Sequence, residues 1–443
     1  MTQVAETKAA STRAEIAPLV KLAIPLMIGL AAALLIGVVD TIMISPLGTI
    51  PLAAAGITTA VLIILISALW GIVTVISVEI SQADGAGDTK AAAKAVRGGL
   101  QLCLIGGGSA MLIMLLGYLA LGPLGQPEEV LDILFPYWAA MALWIIPFTL
   151  FFGLKSLFDA VNWPWTAVIL SYLGVIINVP ANYAFIHILD LGLVGAGLAS
   201  VLSQTCSLVA AWFVFRYADG LSEYRQSVAV AWGDVLAQAK SALPICIGYA
   251  GEGGAYAVIG IMMGWLGSEA LAAHQIVNAF GGLAYMIPLG MAGAASIRVG
   301  QAFGAKSMNR LRPILKASFV MVTGWQIVAA FAFIIGGQYL AESMSSDPKV
   351  IALAVYLFLI VALMQIADGL QGTALGALRG MSDMNWPTTI TLVAYWLFAI
   401  PVSFLLGFTL DFGAIGIWIG YTLGLVVAAV ALPWRFWLLT ASN

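Results

Sequence analysis

The chain has 443 residues, of which 62% are hydrophobic and only 9% are charged, and its mean hydropathy is +1.03. A soluble domain needs roughly a quarter of its residues charged to cover its surface, so this composition excludes a protein whose main solvent is water. The net charge of −3, with no basic stripe, indicates no nucleic-acid partner. The three cysteines all lie in apolar stretches and predict no disulfide framework. Lipid must therefore cover most of the chain.

Apolar stretches of membrane-spanning length follow one another along the whole sequence. A helix that crosses the hydrocarbon layer of about 30 Å needs about 20 apolar residues. The first stretch is too long for the core of a signal peptide, so we expect it to be retained as a span. We predict twelve spans, at residues 17–45, 52–80, 94–122, 131–153, 164–188, 193–216, 236–265, 271–296, 314–337, 350–375, 388–408 and 413–437.

The basic residues test this number of spans, because Lys and Arg are retained in short cytoplasmic loops. Seventeen of the 18 basic residues fall on one side of the predicted membrane, and only Lys349 falls on the other. One missed or invented span would invert every later loop and destroy this asymmetry. We therefore predict a multi-pass protein of the cell inner membrane with both termini in the cytoplasm. The seventeen are Lys8, Arg13, Lys21, Lys90, Lys94, Arg97, Lys155, Arg216, Arg225, Lys240, Arg298, Lys306, Arg310, Arg312, Lys316, Arg379 and Arg435.

The second half of the chain repeats the first. Residues 25–29 resemble residues 244–248 at an offset of 219, and Asn-Trp-Pro at 162–164 recurs at 385–387 with an offset of 223. Three further matches fall in the same order with offsets between these two values. Six spans per half is an even number, so both halves enter the membrane from the same face, as in transporters built from parallel repeats.

We predict an all-α membrane protein with twelve transmembrane helices in two pseudo-symmetric six-helix lobes. The N-terminal lobe is expected at residues 1–220, the cytoplasmic linker at 221–240 and the C-terminal lobe at 241–443. Transporters of this plan hold their substrate between the halves and rock one half against the other.

Three acidic residues fall inside predicted spans: Asp40 in helix 1, Glu252 in helix 7 and Asp368 in helix 10. A charged side chain at the centre of the bilayer costs at least about 2.5 kcal/mol, so each carboxyl group requires an explanation. We find no Lys or Arg at comparable depth to neutralise them. Such carboxylates either take up a proton or hold a small cation, and we predict a coupling-cation site for Na+ or H+. The alternative is that hydrogen bonds within the bundle satisfy them and they serve packing alone.

Neighbouring polar residues are candidate oxygen ligands or cavity-lining groups. Tyr256 lies one turn after Glu252, and glycines 251, 253 and 254 suggest a loosened helix whose carbonyl groups turn toward an ion. Gln365 and Gln371 lie three residues on either side of Asp368. In helix 5, Asn178 and Asn182 share one face and are candidates to line a polar pocket with Asp40. Interhelical hydrogen bonding without a ligand explains these residues equally well.

Motifs for other chemistry are missing from the sequence. Residues 300–307 resemble a phosphate-binding loop but lack the GxxxxGK[ST] spacing and a preceding strand. There is no HExxH zinc motif and no GxSxG nucleophile elbow, so we expect neither an enzyme nor ATP-driven transport. His187 and His274 are isolated and predict no metal site beyond possible Na+. We expect no cofactor.

Two groups of residues resemble the multidrug and toxic compound extrusion (MATE) transporters. One is Val-Asp-Thr-Ile-Met at 39–43, followed by Leu-Gly at 47–48 and Leu-Ala-Ala at 52–54; the other is Leu-Ala-Ala-His-Gln at 271–275. A Gln-Ala-x-Gly-Ala element follows the second helix of each half. The acids at 40, 252 and 368 resemble the NorM-like branch, in which the second-half pair is associated with the coupling cation. The DinF-like branch has an acidic partner on helix 5, where this chain has asparagines.

The resemblance implies twelve helices in two lobes, a V-shaped central cavity, and antiport of Na+ or H+ against amphipathic, often cationic drugs. Our leading hypothesis is accordingly a cation-coupled multidrug exporter, with small-molecule drugs and the lipid bilayer as partners and a monomer as the expected state. One alternative is a flippase or exporter of lipid-linked or metabolite substrates, which should place basic side chains in its cavity. Another is an intramembrane enzyme, which would need a nucleophile and a base at matched depth.

Overall fold

The computed structural model describes residues 11–441, and within this range it contains helices and no β-strand. Twelve helices are long and apolar enough to cross a membrane, which confirms the predicted number. They are α1 Thr12–Leu47, α2 Thr49–Gly85, α3 Thr89–Leu121, α4 Glu128–Ala160, α5 Pro164–Ile188, α6 Gly192–Tyr217, α7 Trp232–Trp265, α8 Ser268–Gly304, α9 Met308–Glu342, α10 Pro348–Gly380, α11 Asn385–Thr409 and α12 Gly413–Leu439. A short 3-10 helix, Asp219–Arg225, precedes α7.

The turns between helices use the same backbone conformation in both halves, which confirms the internal repeat. A left-handed φ occurs at Gly48 (111°) and at Gly267 (113°), which are 219 residues apart. Another such pair is Asp190 (52°) and Asp411 (57°), 221 residues apart. Left-handed backbone is costly for most residues, but glycine and aspartate tolerate it. The sequence matches therefore reflect turns that both halves must make.

The ends of α5 and α11 share a second detail. The last residues of each helix form a π-helical segment, Ala184–Ile188 in α5 and Leu405–Thr409 in α11. Gly195 of α6 meets the backbone of the first segment, and Gly416 of α12 meets the backbone of the second. A side chain at either glycine would overlap that backbone, so close helix packing accounts for both glycines.

The chain divides into two compact units, whose boundaries differ from the predicted ones at 220 and 241. The first unit spans residues 28–246, and the second contains the start of α1, through Met27, together with the chain from Ile247 onward. The start of α1 belongs to the second unit because buried Glu15 accepts hydrogen bonds from Arg298 and Arg310, each within 2.9 Å. The start of α7 belongs to the first unit, where Gly71 of α2 allows close approach of Cys246.

Large apolar side chains cover the outer surface of the helices. Leu119, Ile335, Leu363 and Leu397 are each at least 69% exposed. A water-soluble protein rarely exposes contiguous apolar surface on this scale, whereas lipid tails solvate it without cost. The exposed surface is therefore consistent with a multi-pass membrane protein.

The crossing of α8 and α10 provides a test of this packing. A Cβ atom at Gly376 would lie 2.9 Å from the carbonyl carbon of Ala292, and backbone cannot rotate away. We expect Gly376→Ala to lower the free energy of unfolding by about 1–3 kcal/mol, as overpacking usually does. Gly282→Ala is the matched control on α8, since no atom lies within 4 Å of its added Cβ. Thermal unfolding of the purified protein in detergent measures both, and equal melting temperatures for the two variants would contradict the packing.

Candidate functional site

In the first unit, the carboxylate of Asp40 is held by three neutral hydrogen-bond donors. The side-chain amides of Asn178 and Asn182 donate to Oδ1 at 3.2 and 2.7 Å, and the Ser200 hydroxyl donates to Oδ2 at 2.7 Å. The structure thus brings together the three residues that the sequence predicted for this pocket. Ser200 was missed, because a single serine in an apolar helix forms no pattern.

Local geometry explains why the two asparagines converge on Asp40. They are four residues apart on α5, so they lie on one face, and both are fully buried. Asn182 also donates to the side-chain oxygen of Asn178 at 3.1 Å, which fixes both amide groups. No Lys or Arg of the described residues forms an ion pair with Asp40. The hydrogen-bond donors to this carboxyl group are therefore neutral amide and hydroxyl groups.

Asp40 lines a cavity of about 660 Å³ that lies within the first unit. The lining is mostly apolar, and no Lys, Arg or second acidic residue contributes to it. Two buried polar atoms on its wall, Nε2 of Gln204 and Oγ of Ser207, have no hydrogen-bond partner within residues 11–441. The aromatic side chains of the wall are Trp70, Tyr137, Trp144, Phe148, Phe151 and Phe152. A cavity of this size with a few convergent polar groups is typical of a small-molecule site.

In the second unit, Glu252 of α7 and Asp368 of α10 lie close enough for their charges to interact. Both side chains are half-buried, and neither belongs to an ion pair among residues 11–441. Two carboxylates that share a site repel each other unless a proton or a cation lies between them. The predicted pair therefore forms a single acidic centre.

Tyrosines from four helices surround this acidic centre. The hydroxyl group of buried Tyr395 lies 3.1 Å from Oε1 of Gln371 and 3.5 Å from Oε1 of Glu252. Tyr285 and Tyr421 interact electrostatically with both carboxyl groups, and Tyr256 interacts with Asp368. Only Tyr256 was predicted, because the other tyrosines are distant in sequence from either acid. The ring faces and hydroxyl oxygens suit a small cation.

Two predicted supporting residues are already engaged in hydrogen bonds. Tyr256 donates to the side chain of Asn278, whose amide in turn contacts the ring of buried His274 at 2.8 Å. Gln365 donates to the carbonyl oxygen of Gly281 at 3.2 Å and accepts from Gln326 at 3.1 Å.

Gln371 differs from these two residues, because its buried Nε2 atom has no partner. Gln326 was not predicted, although its buried Oε1 atom also lacks a partner.

The glycines of α7 do not act as the sequence suggested. The helix is continuous through Glu252, so the carbonyl groups of glycines 251, 253 and 254 are not turned out toward an ion. The carbonyl oxygen of Gly251 accepts a hydrogen bond from the indole of Trp396 at 2.9 Å. Gly251 and Gly254 instead allow Leu392 and Trp396 of α11 to pack closely against the helix.

Two basic residues that the predicted spans left in loops are buried within helices, near the helix ends. Lys155 is buried within α4 and forms an ion pair with buried Asp159 at 2.6 Å. Arg379 is buried within α10, where it donates to the Tyr249 hydroxyl group at 2.9 Å and packs over that ring at 4.6 Å. Arg379 also interacts electrostatically with Glu252. The predicted spans ended before both residues because hydropathy assigns charged side chains to loops.

The Asp40 pocket yields a test that needs no transport assay. Asn182→Leu removes a donor to Asp40 and leaves Asn178 with an unsatisfied oxygen, so we expect a loss of about 1.5–3 kcal/mol. Much of this loss should disappear in an Asp40→Leu background, where the carboxylate is gone. A double-mutant cycle on thermal or denaturant unfolding measures the coupling, which should exceed about 0.5 kcal/mol. Strictly additive effects would contradict the observed hydrogen bond.

The chain matches the MatE family model over residues 25–184 and again over 244–405, once in each half. The probable multidrug resistance protein NorM of Bradyrhizobium diazoefficiens is 31% identical over 436 residues, covering 95% of this chain and 93% of that protein. The protein of the same name from Xylella fastidiosa is 30% identical over 432 residues, covering 96% and 92%. Within the described residues there is no group of three or more metal-ligating side chains.

Solved structures share the fold at lower identity. The bent form of the Vibrio cholerae MATE transporter VcmN has a TM-score of 0.86 at 22% identity, covering 97% of this chain and 98% of that one. The eukaryotic MATE transporter AtDTX14 has a TM-score of 0.86 at 19% identity, covering 96% of both chains. Together with the matched family model and the full-length relatives, the twelve-helix fold shows that this chain belongs to the MatE family of multidrug and toxic compound extrusion transporters.

Proposed function

We propose that the chain is a cation-coupled antiporter that exports small amphipathic, often cationic compounds in exchange for Na+ or H+. The observation that carries the proposal is the set of three carboxyl groups, Asp40, Glu252 and Asp368, that lie in spanning helices and form no ion pair with a Lys or Arg of residues 11–441. Negative charge in a low-dielectric interior is stable only with a proton or a cation nearby. The relatives named multidrug resistance proteins support an export role.

The acidic centre of the second unit is our candidate for the coupling-cation site. Repulsion between Glu252 and Asp368 is relieved when a proton or Na+ binds, so occupancy changes the local charge by one unit. Tyr395 and Gln371 supply neutral oxygen atoms beside Glu252. Oxygen atoms of this kind are the ligands that hard cations prefer.

The cavity of the first unit is our candidate for the substrate site. Its aromatic wall offers ring faces to a flat or cationic compound, and Asp40 contributes a carboxyl group to the lining. Gln204 and Ser207 provide polar atoms that lack a hydrogen-bond partner among the described residues. A substrate that donates or accepts a hydrogen bond there would satisfy groups that are otherwise buried at a cost.

We further propose that the protein acts as a monomer in the cell inner membrane with both termini in the cytoplasm. The orientation rests on the basic residues, seventeen of which fall on one side of the predicted membrane. Lys8 lies outside the described residues, and Lys155 and Arg379 lie within helices α4 and α10 near their ends. The asymmetry persists without these three residues.

The flippase alternative gains no support from the buried basic residues. Lys155 is bound to Asp159, and Arg379 is bound to Tyr249. Neither lines the cavity of the first unit, whose described lining residues include no cationic side chain for a pyrophosphate group.

Neutralising the acidic centre should abolish coupled transport. We expect Glu252→Gln and Asp368→Asn each to reduce gradient-driven ethidium efflux from proteoliposomes at least about tenfold. A tenfold change corresponds to a free energy of about 1.4 kcal/mol. Asp190→Asn is the matched control, because this exposed residue adopts a left-handed φ of 52° that asparagine tolerates. Wild-type coupled efflux in both variants would refute the site assignment.

Ion substitution distinguishes the two coupling ions. Ethidium efflux is measured in proteoliposomes under a fixed pH gradient without Na+, and again under a Na+ gradient at equal pH on both sides. Efflux that persists only with the pH gradient identifies H+, and efflux that requires Na+ identifies Na+. Efflux that proceeds at the same rate with neither gradient would contradict antiport.

A further inference from the structure

Three arginines border a second cavity of the first unit, about 640 Å³ in volume and separate from the Asp40 cavity. Arg97 comes from α3, Arg216 from the last turn of α6, and Arg225 from the end of the 3-10 helix Asp219–Arg225. This 3-10 helix packs against both α3 and α6. We call the cavity the arginine pocket.

None of the three guanidinium groups has an acidic partner among the described residues. The nearby acids are either engaged or directed elsewhere. Asp84 accepts a hydrogen bond from Tyr224 at 2.6 Å, and Asp234 forms an ion pair with Lys94 at 2.9 Å. Asp219 and Glu223 are exposed and do not line the pocket. The pocket therefore carries an uncompensated positive charge.

The arginines differ in how firmly they are held. Arg225 donates to the backbone carbonyl oxygens of Arg216 and Ala218, which fixes the 3-10 helix against the end of α6. Arg97 makes one long contact, 3.4 Å, to the carbonyl oxygen of Arg225. Arg216 is exposed, and its guanidinium lies 5.6 Å from the centre of the Tyr217 ring. Arg97 and Arg216 thus retain donors that are available to a ligand.

The pocket lies where the lipid-facing surface of α3 and α6 ends. Leu104 of α3 is 53% exposed and Phe213 of α6 is 55% exposed. Leu104 is seven residues beyond Arg97, which corresponds to about 10 Å along a helix. Trp212 lines the pocket and is 50% exposed, as expected of an indole at the boundary between hydrocarbon and headgroups. Arg97 and Arg216 therefore border exposed apolar surface on their own helices.

We propose that the arginine pocket binds the phosphate group of an anionic phospholipid, with an acyl chain against its apolar wall. Guanidinium groups bind phosphate through paired hydrogen bonds, and basic pockets at membrane surfaces select anionic headgroups. Leu100, Phe215, Val228 and Val230 provide the apolar wall, which a soluble phosphate would leave uncovered. The net positive charge of the pocket favours a lipid with net negative charge over a zwitterionic one. This site is independent of the proposed transport activity.

Native mass spectrometry of the purified full chain in detergent tests the site. We compare phosphatidylglycerol with phosphatidylcholine of the same acyl chains and expect preferential binding of phosphatidylglycerol. Arg97→Gln and Arg216→Gln should each weaken phosphatidylglycerol binding about fivefold, the effect of removing about 1 kcal/mol per basic residue. The control is Lys90→Gln, which removes the same charge from an exposed position in the first turn of α3 and should leave binding unchanged. Arg225 is left intact because it holds the 3-10 helix.

Three outcomes would overturn the proposal. They are equal binding of the two lipids, a loss with Lys90→Gln as large as with Arg97→Gln, and displacement of the lipid by equimolar glycerophosphoglycerol, which has no acyl chains. Melting temperatures of all variants are recorded beside the binding data. If Arg97→Gln unfolds, Arg97→Lys takes its place, since it keeps the charge but loses the paired donors. Its binding should fall below wild type and stay above that of Arg216→Gln; wild-type binding would refute the paired contact.

Discussion

Within the part of the chain that the structure describes, Asp40, Glu252 and Asp368 have no basic ion-pair partner, and our account of the protein depends on this constraint. In a membrane-spanning bundle an ionised carboxyl group is expensive, and the usual remedy is an ion pair with Lys or Arg. Such ion pairs occur elsewhere in this chain, between Lys155 and Asp159 and between Glu15 and two arginines. The three carboxyl groups are therefore left available to an exchangeable cation, which is the property that an antiporter needs.

The two halves surround their acidic side chains differently, although they share turns, π-helical segments and helix order. In the first unit, neutral amides and a hydroxyl group surround a single aspartate. In the second unit, two acids interact electrostatically with each other and with a group of tyrosines. One arrangement surrounds a single carboxyl group with neutral hydrogen-bond donors, whereas the other places two carboxyl groups within electrostatic range of each other. The repeat thus provides the scaffold, and the divergence of a few side chains gives each unit its own electrostatics.

Charged side chains near the ends of α4 and α10 illustrate this divergence. Lys155 and Asp159 lie near the end of α4, whereas Arg379 lies in the last turn of α10 and Asp383 follows that helix. In the first unit the two side chains pair with each other at 2.6 Å. In the second unit Asp383 pairs with Arg435 at 3.0 Å, and Arg379 turns to Tyr249 within electrostatic range of Glu252. The positive charge of Arg379 therefore lies within electrostatic range of the acidic centre but does not form an ion pair with it.

The sequence allowed the helices to be predicted because apolar length is a local property, and the repeat followed from turns that require particular residues. The grouping of Asp40 with Asn178 and Asn182 was also predicted, because two asparagines four residues apart in a helix share a face.

Ser200, Tyr395 and the aromatic wall of the cavity were beyond prediction, because residues on different helices meet only through tertiary packing. The buried Lys155 was misplaced for the opposite reason, since hydropathy treats a charge as a loop signal even when an aspartate one turn away neutralises it.

The most direct test of the account is whether substrate expels the cation. Ethidium is added to the purified chain in detergent, and release is followed as radioactive Na+ at fixed pH and as protons in weakly buffered solution without Na+. We predict that ethidium binding releases one of the two ions, and that release is lost when Glu252→Gln and Asp368→Asn are combined. Ethidium that binds the wild-type chain and releases neither ion would contradict the central claim.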